Sequence, residues 1–127
     1  MLERQGHHVT VDWTVHSCAG DIGPGLQDKL VHFAQLDRDG VRTADALIML
    51  QDDASRGGFC ELGMALAWGK LVLVVGGRTS YPHRAPIFYA LPEAHHFEYA
   101  ADAVAWLTWL DSVFAEKTDE QVREVSR

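Results

Sequence analysis

The chain has 127 residues, 47% apolar and 23% charged, the balance of one soluble globular domain with a single modest core. Its formal net charge of -7 excludes a basic surface for a nucleic-acid backbone, though not local donors for a small anionic ligand. No apolar run reaches the roughly 20 residues of a membrane span, and residues 1–6 lack the apolar segment of a signal peptide.

In chain order, residues 8–13 alternate and are rich in β-formers, which predicts a strand. Residues 14–25 hold three glycines and a proline and read as a long loop. Leu26, Leu30, Val31, Phe33, Ala34 and Leu36 form the stripe of an amphipathic helix over residues 26–36. A break is expected at Asp37-Arg38-Asp39-Gly40, followed by a short helical turn to Thr43 that Asp37 is placed to cap. Residues 45–50 are a continuous apolar run behind one carboxylate, as in a buried parallel strand. Residues 51–58 read as a polar loop. Residues 59–68 read as a helix that Gly69 ends in the left-handed conformation, and residues 71–75 as a second buried strand.

Beyond a loop over residues 76–86, a helical turn is expected at residues 87–91 and a less buried strand at residues 95–99. The last amphipathic helix is expected over residues 100–114, with Val104, Leu107, Trp109, Leu110 and Val113 as packing residues. This gives one domain over residues 1–117 and a charged, frayed tail over residues 118–127.

The order β-α-β-α-β-β-α implies a parallel sheet with helices on both faces, and such sheets bind ligands beyond the carboxyl ends of their strands. Those ends lead into the loops at Thr14, Gln51 and Gly76, so Asp12, Asp52, Asp53, Ser55 and Glu61 are expected to converge on one crevice. The chain begins where a doubly wound domain would already carry a strand and most of a helix. The sheet is therefore expected to lack its usual first strand, either because the start is truncated or because a partner or rearranged element covers the exposed sheet.

The strongest chemical signal is Glu61, a lone carboxylate expected in the first turn of its helix among Gly57, Gly58 and Gly63. Unpaired amides at a helix start favour the ionised carboxylate, and small neighbours let a ligand approach it. A glutamate in a first turn also serves helix stability alone. Trp13 is a packing ring or a stacking platform for a base, Arg56 an anion ligand or a solvated side chain, and Asp45 a structural partner for a loop amide. Gly63 to Lys70 is no phosphate loop: the spacing is one residue too long, Leu71 stands in place of the hydroxyl residue, and the segment ends a helix. His7-His8 and His95-His96 are neighbours that point apart on a strand, and Cys18 and Cys60 are lone cysteines without metal or redox spacing. They read as surface histidines and as free thiols in a reducing cytoplasm.

Taken together, Gly6-His-x-Val-Thr-x-Asp-Trp13, Asp37-x-x-x-Val41-x-x-Ala44-Asp45, Gly58-x-x-Glu61-x-Gly63-x-Ala65, Gly69-Lys70-x-Val72, Phe88 to Leu91, Phe97 and Ala103 to Leu107 carry a resemblance. Over about residues 1–112 the chain resembles the nucleoside 2-deoxyribosyltransferase family and its nucleotide N-glycosidase relatives. The resemblance implies a flavodoxin-like parallel α/β domain that cleaves the N-glycosidic bond of a deoxynucleoside or deoxynucleotide. It implies Glu61 as the nucleophile that forms a glycosyl-enzyme ester, and Asp37 as the group that protonates or positions the base. Asp12, Trp13, Asp52, Asp53, Ser55 and Gly58 are then the substrate-binding candidates, and no metal or redox cofactor is needed. The family's first strand and its following loop have no counterpart in this chain.

The implied partners are a small nucleoside or nucleotide and a second copy of the chain, with neither nucleic acid nor membrane. The homodimer is expected from the sheet edge near Val9 and from the apolar surface of Trp106, Trp109 and Phe114. Two other readings stay open: a non-catalytic nucleotide-binding or sensing domain with a degenerate site, and a structural oligomer with a vestigial one.

Overall fold

A computed structural model describes residues 2–11, 23–51, 56–76 and 87–126. The described chain is mixed α/β. After a 3-10 turn at Glu3–Gln5 come α1 (Leu26–Thr43), β1 (Ala46–Leu50), α2 (Arg56–Ala67), β2 (Leu71–Val75), a 3-10 turn at Ile87–Ala90, β3 (Ala94–Phe97) and α3 (Ala100–Val125). Among the described residues the sheet has three strands in the order β1-β2-β3. Both pairings are parallel, with Ile48 opposite Leu73 and Val74 opposite His96.

Alternation along β2 sorts the core into two layers. Val72 and Val74 face Val41 of α1, Leu62 and Ala65 of α2, Met49, Tyr89 and Ala94. Leu73 and Val75 face Ala103 of α3, with Phe97, Trp106 and Leu107 packed beside them. Helices therefore cover both faces, α1 and α2 on one and α3 on the other, and β2 is buried from both sides.

The helices and strands expected after residue 26 are present, but their bounds differ, and the segment before them departs from expectation. First, α1 does not break at Asp37-Arg38-Asp39-Gly40 but runs unbroken for 18 residues. Gly40 is in the helix because another segment lies on it: a Cβ there would collide with the Val11 side chain, and the Thr10 hydroxyl donates to the Gly40 carbonyl (3.3 Å). Asp37 is thus a mid-helix residue and caps nothing.

Second, residues 8–11, the described part of the expected first strand, are not in the sheet. Their β-like alternation serves a different task. His7 bonds α3 through Thr108 (Nε2 to Oγ1, 3.0 Å) and Asp111 (Nδ1 to Oδ2, 3.3 Å), while Thr10 and Val11 hold α1. Since α1 and α3 lie on opposite faces, residues 7–11 strap one helical layer to the other. Third, α3 does not stop near residue 114 but continues as helix through Val125, so residues 118–125 are helical and not a frayed tail.

The end of α2 is as expected. Gly69 has φ +66°, the Lys70 amide donates to the Ala65 carbonyl (2.8 Å) and the Gly69 amide to the Leu66 carbonyl (3.1 Å). That pair of bonds is a Schellman motif, which satisfies carbonyls the helix end would orphan. Among the described residues no helix is long and apolar enough to cross a membrane.

Candidate functional site

Strand polarity fixes the direction of the two helices that carry the carboxylates. The short link over residues 44–45 makes α1 antiparallel to β1, and α2, joining two parallel strands, is antiparallel to both. So α1 and α2 run parallel, side by side on one face, and both begin at the end of the sheet where the strands finish.

In α1 the inward stripe is Phe33, Asp37, Gly40, Val41 and Ala44, and Asp37 holds one full turn of it. The Asp37 side chain is half-buried and its Oδ1 is fully shielded from solvent. In α2 the inward residues are Leu62 and Ala65, both fully buried, with Gly58 and Glu61 half-buried one turn earlier. Asp37 precedes buried Val41 by four residues, and Glu61 precedes buried Ala65 by four. The two carboxylates therefore stand on adjacent parallel helices, each one turn before a buried core residue.

The flanks of α2 settle which side each residue takes. Phe59 lies on one flank, where its ring meets Tyr89 edge-on (centroids 6.5 Å, interplanar 63°). At 100° per residue Glu61 lies on the opposite flank of the inward direction, the side that packs on α1. Helical side chains tilt toward the helix start, so Glu61 leans over the turn that contains Gly58. Neither Asp37 nor Glu61 is free, since each takes part in a polar interaction.

One expectation is corrected here. Glu61 is the sixth residue of α2 and not in the first turn, which contains no acidic residue. Gly57 and Gly58 are accommodated inside the helix rather than breaking it, so the helix starts at Arg56. The field of a helix terminus fades within the first turn, so the unpaired amides of the helix start do not act on Glu61 as expected. Its setting is the flank of α2 that faces α1.

The other flank of α2, away from Glu61, packs on aromatic residues. The Tyr89 side chain is buried, its hydroxyl donates to Met49 Sδ (3.2 Å), and its carbonyl accepts from His96 Nε2 (2.8 Å). Sequence reading did not single out Phe59, Tyr89 and Met49. Their signal was spacing: Phe59 is three residues before the buried Leu62 and so flanks the same inward direction as Glu61. Asp12, Trp13, Asp52, Asp53 and Ser55 lie outside the described residues.

Other chemically suggestive groups resolve into structure. Lys70, which ends the Gly63 to Lys70 segment, donates from Nζ to the Arg42 carbonyl (2.7 Å) and so caps the carboxyl end of α1. His95 stacks on Trp106 (4.8 Å) in the α3 layer and His96 bonds Tyr89 in the other, so the two neighbours point apart. His7, Thr108 and Asp111 have the residue types of a hydroxyl-imidazole-carboxylate relay. The Thr108 hydroxyl gives its proton to the Val104 carbonyl (2.9 Å), however, so it accepts from His7 and is not activated by it. Cys60 is an exposed free thiol, and Cys18 lies outside the described residues. Among the described residues no group of three or more His, Cys, Asp or Glu is placed to hold a metal ion.

Comparison with family models, with curated proteins and with solved structures finds no match for this chain.

Proposed function

We propose that the chain is a nucleoside 2-deoxyribosyltransferase-like enzyme that cleaves the N-glycosidic bond of a deoxynucleoside or deoxynucleotide. What supports this reading is that two half-buried carboxylates, Asp37 on α1 and Glu61 on α2, stand on neighbouring helices that cover one face of a parallel sheet. In this reading β1, β2 and β3 are consecutive strands of a flavodoxin-like sheet.

The chemistry needs two acidic groups with different tasks. As the bond from the sugar anomeric carbon to the base nitrogen breaks, positive charge builds on the sugar. The Glu61 carboxylate captures that carbon and forms an ester, while the departing base takes its electron pair and a proton that Asp37 supplies or steers. A second base then displaces Glu61 and the reaction is transfer; if water does so, it is hydrolysis. No step requires a metal or a redox cofactor.

The test is incubation with a panel of 2′-deoxynucleosides and their 5′-phosphates, with and without a free acceptor base, followed by chromatography for released base. Release or exchange is expected for at least one member, and Glu61→Gln should lower it by orders of magnitude while circular dichroism stays native. No release from any member, or equal turnover by Glu61→Gln, overturns the reading.

A further inference from the structure

The far half of α3 carries an organised surface that the rest of the chain does not use. At 1.5 Å per residue its 26 residues span about 39 Å, whereas strands of four or five residues span roughly 17 Å. Because α3 starts beyond β3 and runs back antiparallel to it, its second half projects past the amino-terminal end of the sheet. Ala103, Val104, Trp106 and Leu107 cover the sheet. The same helical stripe continues beyond it as Phe114, Thr118, Gln121 and Val125, flanked by Ala115 and Val122. All of these are exposed, Phe114 by 60%, Val122 by 59% and Val125 by 88%.

We propose that this stripe pairs, antiparallel, with the same stripe of a second copy of the chain. The register follows from the sequence. Setting Thr118 against the partner's Gln121 places Phe114 against the partner's Val125, and two-fold symmetry repeats both layers in reverse. On one flank Ala115 then meets the partner's Val122. On the other flank Lys117 meets the partner's Glu124, so two ion pairs form across the dimer. Neither Lys117 nor Glu124 has an ion-pair partner within the chain among the described residues. Glu116 and Arg123 fall on the outer side, away from the contact.

Thus apolar layers occupy the ends, an amide-hydroxyl pair the middle and opposite charges one rim. That charge complementarity favours a second copy over an unrelated partner. The contact lies beyond the amino-terminal end of the sheet, on the face opposite α1 and α2, and does not depend on the catalytic reading.

Sedimentation velocity of the full chain over a concentration series tests it. The expected result is a monomer-dimer equilibrium that shifts to monomer by tenfold or more in dissociation constant for Phe114→Asp or Val125→Asp, with circular dichroism unchanged. Charge reversal gives the sharper arm. Lys117→Glu and Glu124→Lys should each weaken the dimer several-fold, and the double variant should regain most of the wild-type affinity. Glu124→Lys exchanges one negative charge for one positive, taking the net charge from -7 to -5. General repulsion between chains would then fall and the dimer would tighten, so weakening by this variant is specific to the proposed register. A chain that stays monomeric throughout, a dimer indifferent to Phe114→Asp, or a double variant no better than its parents overturns the proposal.

Discussion

At position 40 of α1 a Cβ would overlap the Val11 side chain, a β-branched group with little freedom to rotate away. Helix propensity by itself would favour alanine over glycine there by about 1 kcal/mol. The overlap reverses the sign: Gly40→Ala should lower unfolding stability by about 1–3 kcal/mol, and the added change Val11→Ala should recover part of the loss. Urea unfolding of the two single variants and the double variant measures it; a more stable Gly40→Ala would mean that Val11 is not seated on the helix. Asp37 shows the same dependence on a neighbour, this time for function. On the proposed mechanism Asp37→Asn slows base release most for bases that leave poorly, because the group assists protonation of the leaving base. Comparing a good and a poor leaving base in the base-release assay checks this, and an equal loss for both would remove Asp37 from proton transfer.

At the scale of elements, the carboxyl ends of α1 and α2 are locked together by groups that follow one another in sequence. Trp68 lies under the Arg42 guanidinium (5.3 Å to the ring), Gly69 takes the left-handed turn and Lys70 caps α1 through the Arg42 carbonyl. Lys70→Met keeps the aliphatic stem and removes the charged donor, so thermal unfolding should show a loss of about 0.5–1.5 kcal/mol. Gly69→Ala should cost about 1 kcal/mol, because the residue must hold φ +66°. This helix end was legible in the sequence because glycine at a terminus has one dominant meaning. The strands were legible for a similar reason: runs such as Leu71 to Val75 admit few alternatives in a small domain. Glycine inside a helix has no such single meaning. Gly40 and the pair Gly57-Gly58 read locally as breaks, and only the packing of Val11 and the continuity of α2 show otherwise. The misplaced start of α2 moved Glu61 from the first turn to the second. That Asp37 and Glu61 stand on neighbouring helices follows from the α-β-α-β order legible in the sequence, while the place of Glu61 within its helix was not legible. Residues 8–11 misled in the opposite sense, since alternation suits any segment with one face on the protein, sheet or strap.

Across the whole molecule, stability is graded from β2 outward. Val72, Leu73 and Val74 are at most 1% exposed, with a helical layer on either side, so their amides should open only with global unfolding. The strap over residues 7–11 ties the two layers, and α3 covers the sheet only through its first half. From residue 112 to 125 every side chain except the half-buried Val113 is exposed. A helix of that length without a packed face is marginal in water. Amide hydrogen exchange followed residue by residue should therefore rank β2 slowest and the far half of α3 fastest when the chain is dilute. If the second copy packs on Phe114, Val122 and Val125, protection over residues 112–125 should rise with chain concentration while that of β2 stays fixed at the global limit. Phe114→Asp should remove the concentration dependence and leave β2 untouched. Exchange in the far half of α3 that is slow at every concentration, or that slows on concentrating even with aspartate at 114, would show that the helix draws its order from somewhere other than this stripe.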